Sequence, residues 1–251
     1  MGALHEGHLS LIQKAKDESQ LVVCSIFINP TQFTDPDDLE KYPRPIDADI
    51  KLLEQAQCDI LFIPSVSEIY PPTTQAWNIN LDGLDKRLEG AIRPGHYQGV
   101  TQVVKILLDI VKPHRAFFGQ KDYQQLLVIN KMVQKLAIPT TIVMCPTTRE
   151  ADGLAMSSRN IHLSISERKN STILFQTLQL TKQRFAQESI QQLTENAIQY
   201  LKTSSGIIVE YFQICDGHTL VPARDKNPNT LVALVAVRIR NTRLIDNIIL
   251  K

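Results

Sequence analysis

The chain of 251 residues is long enough for one large domain or two modest ones with a well-buried core. Its 27 basic and 26 acidic side chains leave a formal charge of +1, which gives no electrostatic footprint for nucleic acid or an anionic membrane and favours small-molecule partners. No apolar run approaches the roughly 20 residues of a membrane helix, and no secretory signal is expected. Cys24, Cys58, Cys145 and Cys215 form no CxxC pair, so neither a zinc site nor a disulfide framework is expected and a reducing cytoplasm fits.

In chain order, Leu9, Ile12 and Ala15 recur at helical spacing with charged residues opposite, which predicts a first helix. "LVVCSIFI", Leu21 to Ile28, is a continuous apolar run of strand length, predicted to be buried on both faces as in a parallel sheet. "NPTQF" turns the chain, and a helix from about Ile46 to Gln57 leads to the short strand "DILFIP". "TQVVKILLDIVK" predicts a helix, "RAFFG" a strand, "YQQLLVINKMVQKLA" a helix and "TTIVMCP" a strand. This alternation predicts a doubly wound, Rossmann-like α/β domain over residues 1–147. Beyond it the pattern changes to helices at roughly Ser166–Gln187 and Ser189–Thr203, followed by the strand-like runs "GIIVEYFQIC", "LVALVAVRI" and "TRLIDNIIL". Helices followed by strands predict a second, smaller α+β domain over 148–251.

Three stretches carry chemistry. In "MGALHEGH", His5 and His8 flank a glycine at a helix entry, where backbone N–H groups and imidazoles can receive phosphate oxygens. A metal pair is the competing reading, although no third ligand stands nearby. "GQKDYQQ", Gly119 to Gln125, follows directly from a strand, the place where open α/β sheets bind ligands. There Lys121 offers a mobile charge for phosphate, and Asp122 either accepts from a ribose hydroxyl or caps the next helix. "LAMSSRN" offers two hydroxyls and a permanent charge from Arg159 in an interdomain loop expected to be mobile and to close over a polyphosphate. No GxxxxGK[ST] motif occurs, so a Walker-type cradle is excluded.

Six blocks in order, "MGALHEGH", "IFINPTQF", "RPGHYQGV", "FFGQKDYQQ", "ADGLAMSSRN" and "TRLIDNI", resemble the pantoate–β-alanine ligase family of the HIGH-motif nucleotidyltransferase superfamily, over essentially the whole chain. The resemblance implies ATP-dependent condensation of pantoate with β-alanine through a pantoyl adenylate, with Mg²⁺ as the expected metal. It further implies a homodimer with a Rossmann-like N-terminal domain and a C-terminal lid. Carried over by position, Met1, Gly2, Ala3, Leu4, His5, Glu6, Gly7 and His8 form the ATP-binding turn, and His8 matches the proton donor to the nucleotide phosphates. Gly119, Gln120, Lys121 and Asp122 hold ATP, as do Thr148, Met156, Ser157, Ser158 and Arg159; valine is the commoner family residue at 148. Gln32 and Gln125 match pantoate-binding residues, and the charge of Arg93 orders either the site or the dimer contact. His5, His8, Lys121 and Arg159 are the expected catalytic groups. The family also implies a further central strand upstream of "MGALHEGH", so the first strand of the 1–147 domain is expected to be missing from this chain, with either an upstream segment in the natural protein or a substitute strand recruited from elsewhere. Another nucleotidyltransferase of the superfamily and a nucleotide-binding module without turnover are the competing readings.

Overall fold

A computed structural model describes residues 1–33 and 36–251 and divides them into two compact units, Met1–Pro146 and Thr147–Lys251. In the first unit the elements run α1 (Glu6–Glu18), β1 (Val23–Ser25), α2 (Pro36–Lys41), α3 (Ile46–Gln55), β2 (Ile60–Phe62), α4 (Val66–Ile69), α5 (Leu88–Ile92), α6 (His96–Val111), β3 (Arg115–Gly119), α7 (Tyr123–Lys135) and β4 (Thr141–Cys145). β1 pairs with β2 and β3 with β4, both parallel, as connections through helices require. Among the described residues these strands form two separate pairs rather than one hydrogen-bonded sheet. No described helix is long and apolar enough to cross a membrane.

Burial along the first strand differs from the expectation of two covered faces. Val22, Cys24 and Ile26 are 2–6% exposed and pack with Ile12, Ala15 and Leu53 of α1 and α3, but Leu21 is 57% exposed and Val23, Ser25 and Phe27 are half-buried. The apolar content of the run hides an alternation, because the described helices cover chiefly one face. α3 ends at Gln55 instead of Gln57: Gln57 takes a left-handed φ of 53° and Cys58 N closes the turn onto Leu53 O. α6 begins at His96, five residues before the expected helix, after Gly95 at φ 83°.

The second unit contains α8 (Ile165–Ser171), α9 (Ile173–Arg184), α10 (Ile190–Leu201) and the antiparallel sheet β5 (Ile207–Asp216), β6 (Leu231–Ile239) and β7 (Thr242–Ile249), with β6 central. The single helix expected over 166–187 is two helices. At Thr172 the hydroxyl bonds Lys169 O, competing with the helical ladder. Every β6 residue except Arg238 is buried. Ala233, Val235, Val237 and Ile239 join Leu174, Leu178, Leu193 and Leu201 from the helices in one core, each large aliphatic contributing about 1.5–3 kcal/mol by burial.

Candidate active site

The "MGALHEGH" turn is built on its two histidines. His5 is the N-cap of α1 and accepts from Gly7 N through Nδ1 at 3.1 Å, while Nδ1 of His8 accepts from His5 N at 3.3 Å. The pair satisfies amides left open at a helix start, with ring centroids 4.1 Å apart. A nitrogen that accepts leaves the proton of a neutral imidazole on the other nitrogen, so Nε2–H is the free donor of His8. Burial, then the charges of His5 and Lys121, lower the His8 pKa to about 3. His8 is therefore a neutral donor beside a cation.

Lys121, from the "GQKDYQQ" stretch, shares this site, close enough to act on His8 electrostatically. Its ammonium is 3.7 Å from an Asp122 carboxylate oxygen, and its side chain is 20% exposed, so it is a placed charge rather than a mobile one. Asp122 stands at the N-cap of α7 without capping it by its side chain, which removes the capping role. A Cβ at Gly119 would meet nothing within 4 Å, leaving open space over that backbone. Gln120 follows in the same short 3₁₀ turn. The neighbouring glutamines divide. Gln124 is buried and bonds Leu84 O, Arg87 O and Glu89 N, whereas Gln125 is half-buried and makes no side-chain hydrogen bond to a described residue.

Gln32 is held by its backbone from the "RPGHYQG" block. Its carbonyl oxygen accepts from His96 Nδ1 at 2.7 Å and from Arg93 Nη2 at 3.2 Å. Since a carbonyl only accepts, the His96 proton is on Nδ1, and Nε2 receives Arg93 Nη1 at 3.3 Å. Arg93 thus orders the turn that carries Gln32. Buried Asn29 completes the hold, accepting from Thr31 and Tyr70 and donating to Gly99 O. A Cβ at Gly99 would lie 2.3 Å from Thr31 O, so only glycine lets α6 approach this closely.

His96, like His8, is kept neutral: burial and Arg93 lower its pKa to about 4. The unfolded chain binds these protons near pH 6.5, so between roughly 6.5 and 4 the unfolded state holds more protons than the folded one. Stability from both groups is complete above that window and lost as pH falls through it, with a slope approaching about 2.7 kcal/mol per pH unit near pH 5 for two protons. Urea unfolding at pH 5 and pH 7 measures this. Equal midpoints would show that the two rings titrate normally.

In the second unit the segment expected to be a mobile loop begins as a tight hairpin. Arg149 and Ala155 form a bridge, Met156 N donates to Thr148 O at 3.0 Å, and Leu154 and Ala155 are buried. Arg149 makes a bidentate pair with buried Asp246 of β7 at 2.6 and 3.0 Å, and its guanidinium lies 4.4 Å from the Phe175 ring centroid. Gly153, at φ 91°, abuts that same ring, which a Cβ would strike at 2.0 Å. Arg168 grips Asp152 at 2.7 and 2.9 Å. From this base the chain reaches Met156 and then Ser157, which accepts from Arg159 N at 3.3 Å and caps the 3₁₀ turn Ser158–His162. Met156, Ser157, Ser158 and Arg159 are all half-buried.

The structure thus brings His5, His8 and Lys121 together in the first unit. Among the described residues no group of three or more His, Cys, Asp or Glu is placed to hold a metal, and both histidines spend Nδ1 on backbone, which argues against the metal-pair reading. Four residues that the sequence does not single out hold the site segments: Asn29, Asp49, His96 and Asp246. Asn29, His96 and Asp246 lie within blocks of the resemblance, and Asp246 also carries a visible signal as a carboxylate inside the apolar run "RLIDNII".

A family model described as pantoate-beta-alanine ligase matches residues 1–249. Pantothenate synthetase of Thermotoga petrophila is 45% identical over 252 aligned positions, spanning 100% of this chain and 89% of its own length. The crystal structure of pantothenate synthetase from Thermus thermophilus superposes with a TM-score of 0.93 at 41% identity, covering 99% of this chain and 90% of that one. A pantoate-beta-alanine ligase from Francisella tularensis, complexed with β-γ ATP and β-alanine, matches with a TM-score of 0.78 at 36% identity, covering 99% and 86%. With a full-length family match, these relatives and an HEGH helix start converging on Lys121, the chain belongs to the pantoate–β-alanine ligase family.

Proposed function

We propose that the protein condenses pantoate with β-alanine, using ATP and releasing AMP and pyrophosphate, through a pantoyl adenylate. The observation that carries the reading is the neutral His8 donor set beside the Lys121 ammonium at a helix N-terminus, in a chain of this family. When the pantoate carboxylate attacks the α-phosphate, negative charge grows on phosphate oxygens, and donors fixed beforehand serve that step. Met1 to His8 and Gly119 to Asp122 are the proposed ATP contacts of the first unit. Thr148, Met156, Ser157, Ser158 and Arg159 are the further ATP contacts supplied by the second unit, the proposed lid. Gln32 and Gln125 bind pantoate, the first on a turn already fixed by Arg93, His96 and Asn29 and the second with its amide uncommitted. The β-alanine amine then attacks an anhydride whose leaving group is good, so orientation and exclusion of water suffice.

Mg²⁺ is the expected metal. The described residues offer it no protein cage, which suits an ion that keeps several waters and is held largely by substrate phosphates. No step is assigned to it. We place the enzyme in the cytoplasm, as a homodimer, in keeping with the family and with four free cysteines.

Incubation with ATP, Mg²⁺, pantoate and β-alanine is expected to give pantothenate and AMP in equal amounts. ATP–pyrophosphate exchange should proceed with pantoate alone. Exchange that required β-alanine would exclude the two-step route, and a nucleotidyl product without AMP would favour a nucleotidyltransferase.

A further inference from the structure

We propose that Asp49 is a positioning residue for adenylation: its carboxylate fixes the Ala3–Leu4 backbone so that the His5–His8 helix start faces the nucleotide. Asp49 lies in the first turn of α3, 2% exposed, and each of its oxygens accepts one backbone N–H, Ala3 N at 2.8 Å and Leu4 N at 2.7 Å. A carboxylate is costly to bury unless donors replace its water. Here the donors come from a turn 46 and 45 residues away in sequence rather than from its own helix. The start of α3 also favours a negative charge at this point.

What the carboxylate holds is not a relaxed segment. Ala3 has a φ of 50°, the left-handed region that an alanine adopts only under constraint from outside. Leu4 leads directly into His5, whose N–H occupies Nδ1 of His8 and whose own Nδ1 takes Gly7 N. Fixing Leu4 N therefore fixes the backbone from which both Nε2–H donors are hung. Asp49 touches no reacting atom in this scheme; it acts through the turn. The inference rests on the reading of His8 as a phosphate donor.

The test uses Asp49→Asn, Asp49→Ala and, as a control, Asp47→Asn, which removes an exposed charge two residues away on the same helix turn. Pantoate-dependent ATP–pyrophosphate exchange is measured at a temperature where circular dichroism shows each variant folded. Asp49→Ala should lower kcat about 10²-fold with the KM for pantoate unchanged, the scale expected of a misplaced catalytic group. Asp49→Asn keeps the shape and one acceptor, so it folds and should fall between that variant and the parent; Asp47→Asn should match the parent. The ¹⁵N ring signals of His8 in the ligand-free protein provide a second readout that requires no turnover. They should shift in both Asp49 variants as Nδ1 loses its backbone donor. Folded Asp49 variants with normal kcat, or with unchanged His8 ring signals, overturn the proposal. If the ring signals shift but His8→Ala itself turns over normally, positioning survives and the donor reading of His8 fails.

Discussion

Replacing His8 by alanine slows pantoyl adenylate formation about 10²- to 10³-fold, the usual effect of removing one preorganised donor from a charged transition state. The fold should be unaffected by the loss of a half-buried ring at a helix entry, which removes one acceptor for the His5 amide. Lys121→Ala should give a loss of similar size, since it removes the charge that stands beside the same donor. Because the two groups face one charge build-up, the double variant should lose less than the product of the single losses. Single-turnover measurement of adenylate formation separates this step from product release. Near-normal turnover of His8→Ala with unchanged ATP affinity would remove His8 from the mechanism, and full multiplication of the two losses would show that they act at different places.

Asp246→Ala should destabilise the second unit by about 3–5 kcal/mol, the range for breaking a buried ion pair by removing one partner. The carboxylate is 1% exposed and holds Arg149 through its Nη1 and Nη2. Its loss leaves the guanidinium facing Phe175, Gly153 O and Asn247 O without a counter-charge. Replacing both partners by aliphatic residues, Arg149→Met with Asp246→Leu, should recover much of the loss, because no charge is then left buried alone. Urea denaturation reads both. A single variant as stable as the parent would mean that the pair contributes shape without energy. In the proposed function, the folded fraction of Asp246→Ala should also show a raised KM for ATP, since the hairpin base carrying Met156 to Arg159 is loosened.

The element types were legible because they depend on near neighbours. Helical spacing in "YQQLLVINKMVQK" and β-branched content in "LVALVAVRI" act within one turn or one strand, and both stretches form the elements they predict. The helix expected from about Ser189 likewise starts there: Ser189 is the N-cap of α10 and forms a capping box with Gln192. The first strand was less legible. Its apolar run reads as buried on both faces, yet Leu21 is exposed and Val23 only half-buried. The number of covered faces is a property of the elements packed nearby, which a single run does not contain.

The chemistry divides along the same line. The residue types of the site, two histidines at a helix entry, a lysine after a strand and paired glutamines, stand in the sequence at short spacing, and their identity needs no folding to be read. Their states do. Only the packed structure buries His8 beside Lys121 and so makes it a neutral donor, commits the Gln124 amide to backbone while leaving its neighbour half-buried, and turns Arg93 onto the Gln32 carbonyl 61 residues away. Asp49 and Asp246 mark the limit most sharply. The first lies in a predicted helix and the second in a predicted strand, yet each is buried against backbone or charge 45 to 97 residues distant. Spacing rules carry information over a turn of helix or a step of strand, whereas burial and hydrogen-bond partners are set by contacts between segments, so the sequence by itself determined what groups are present and only the tertiary structure decided their charge, their neighbours and the direction in which they point.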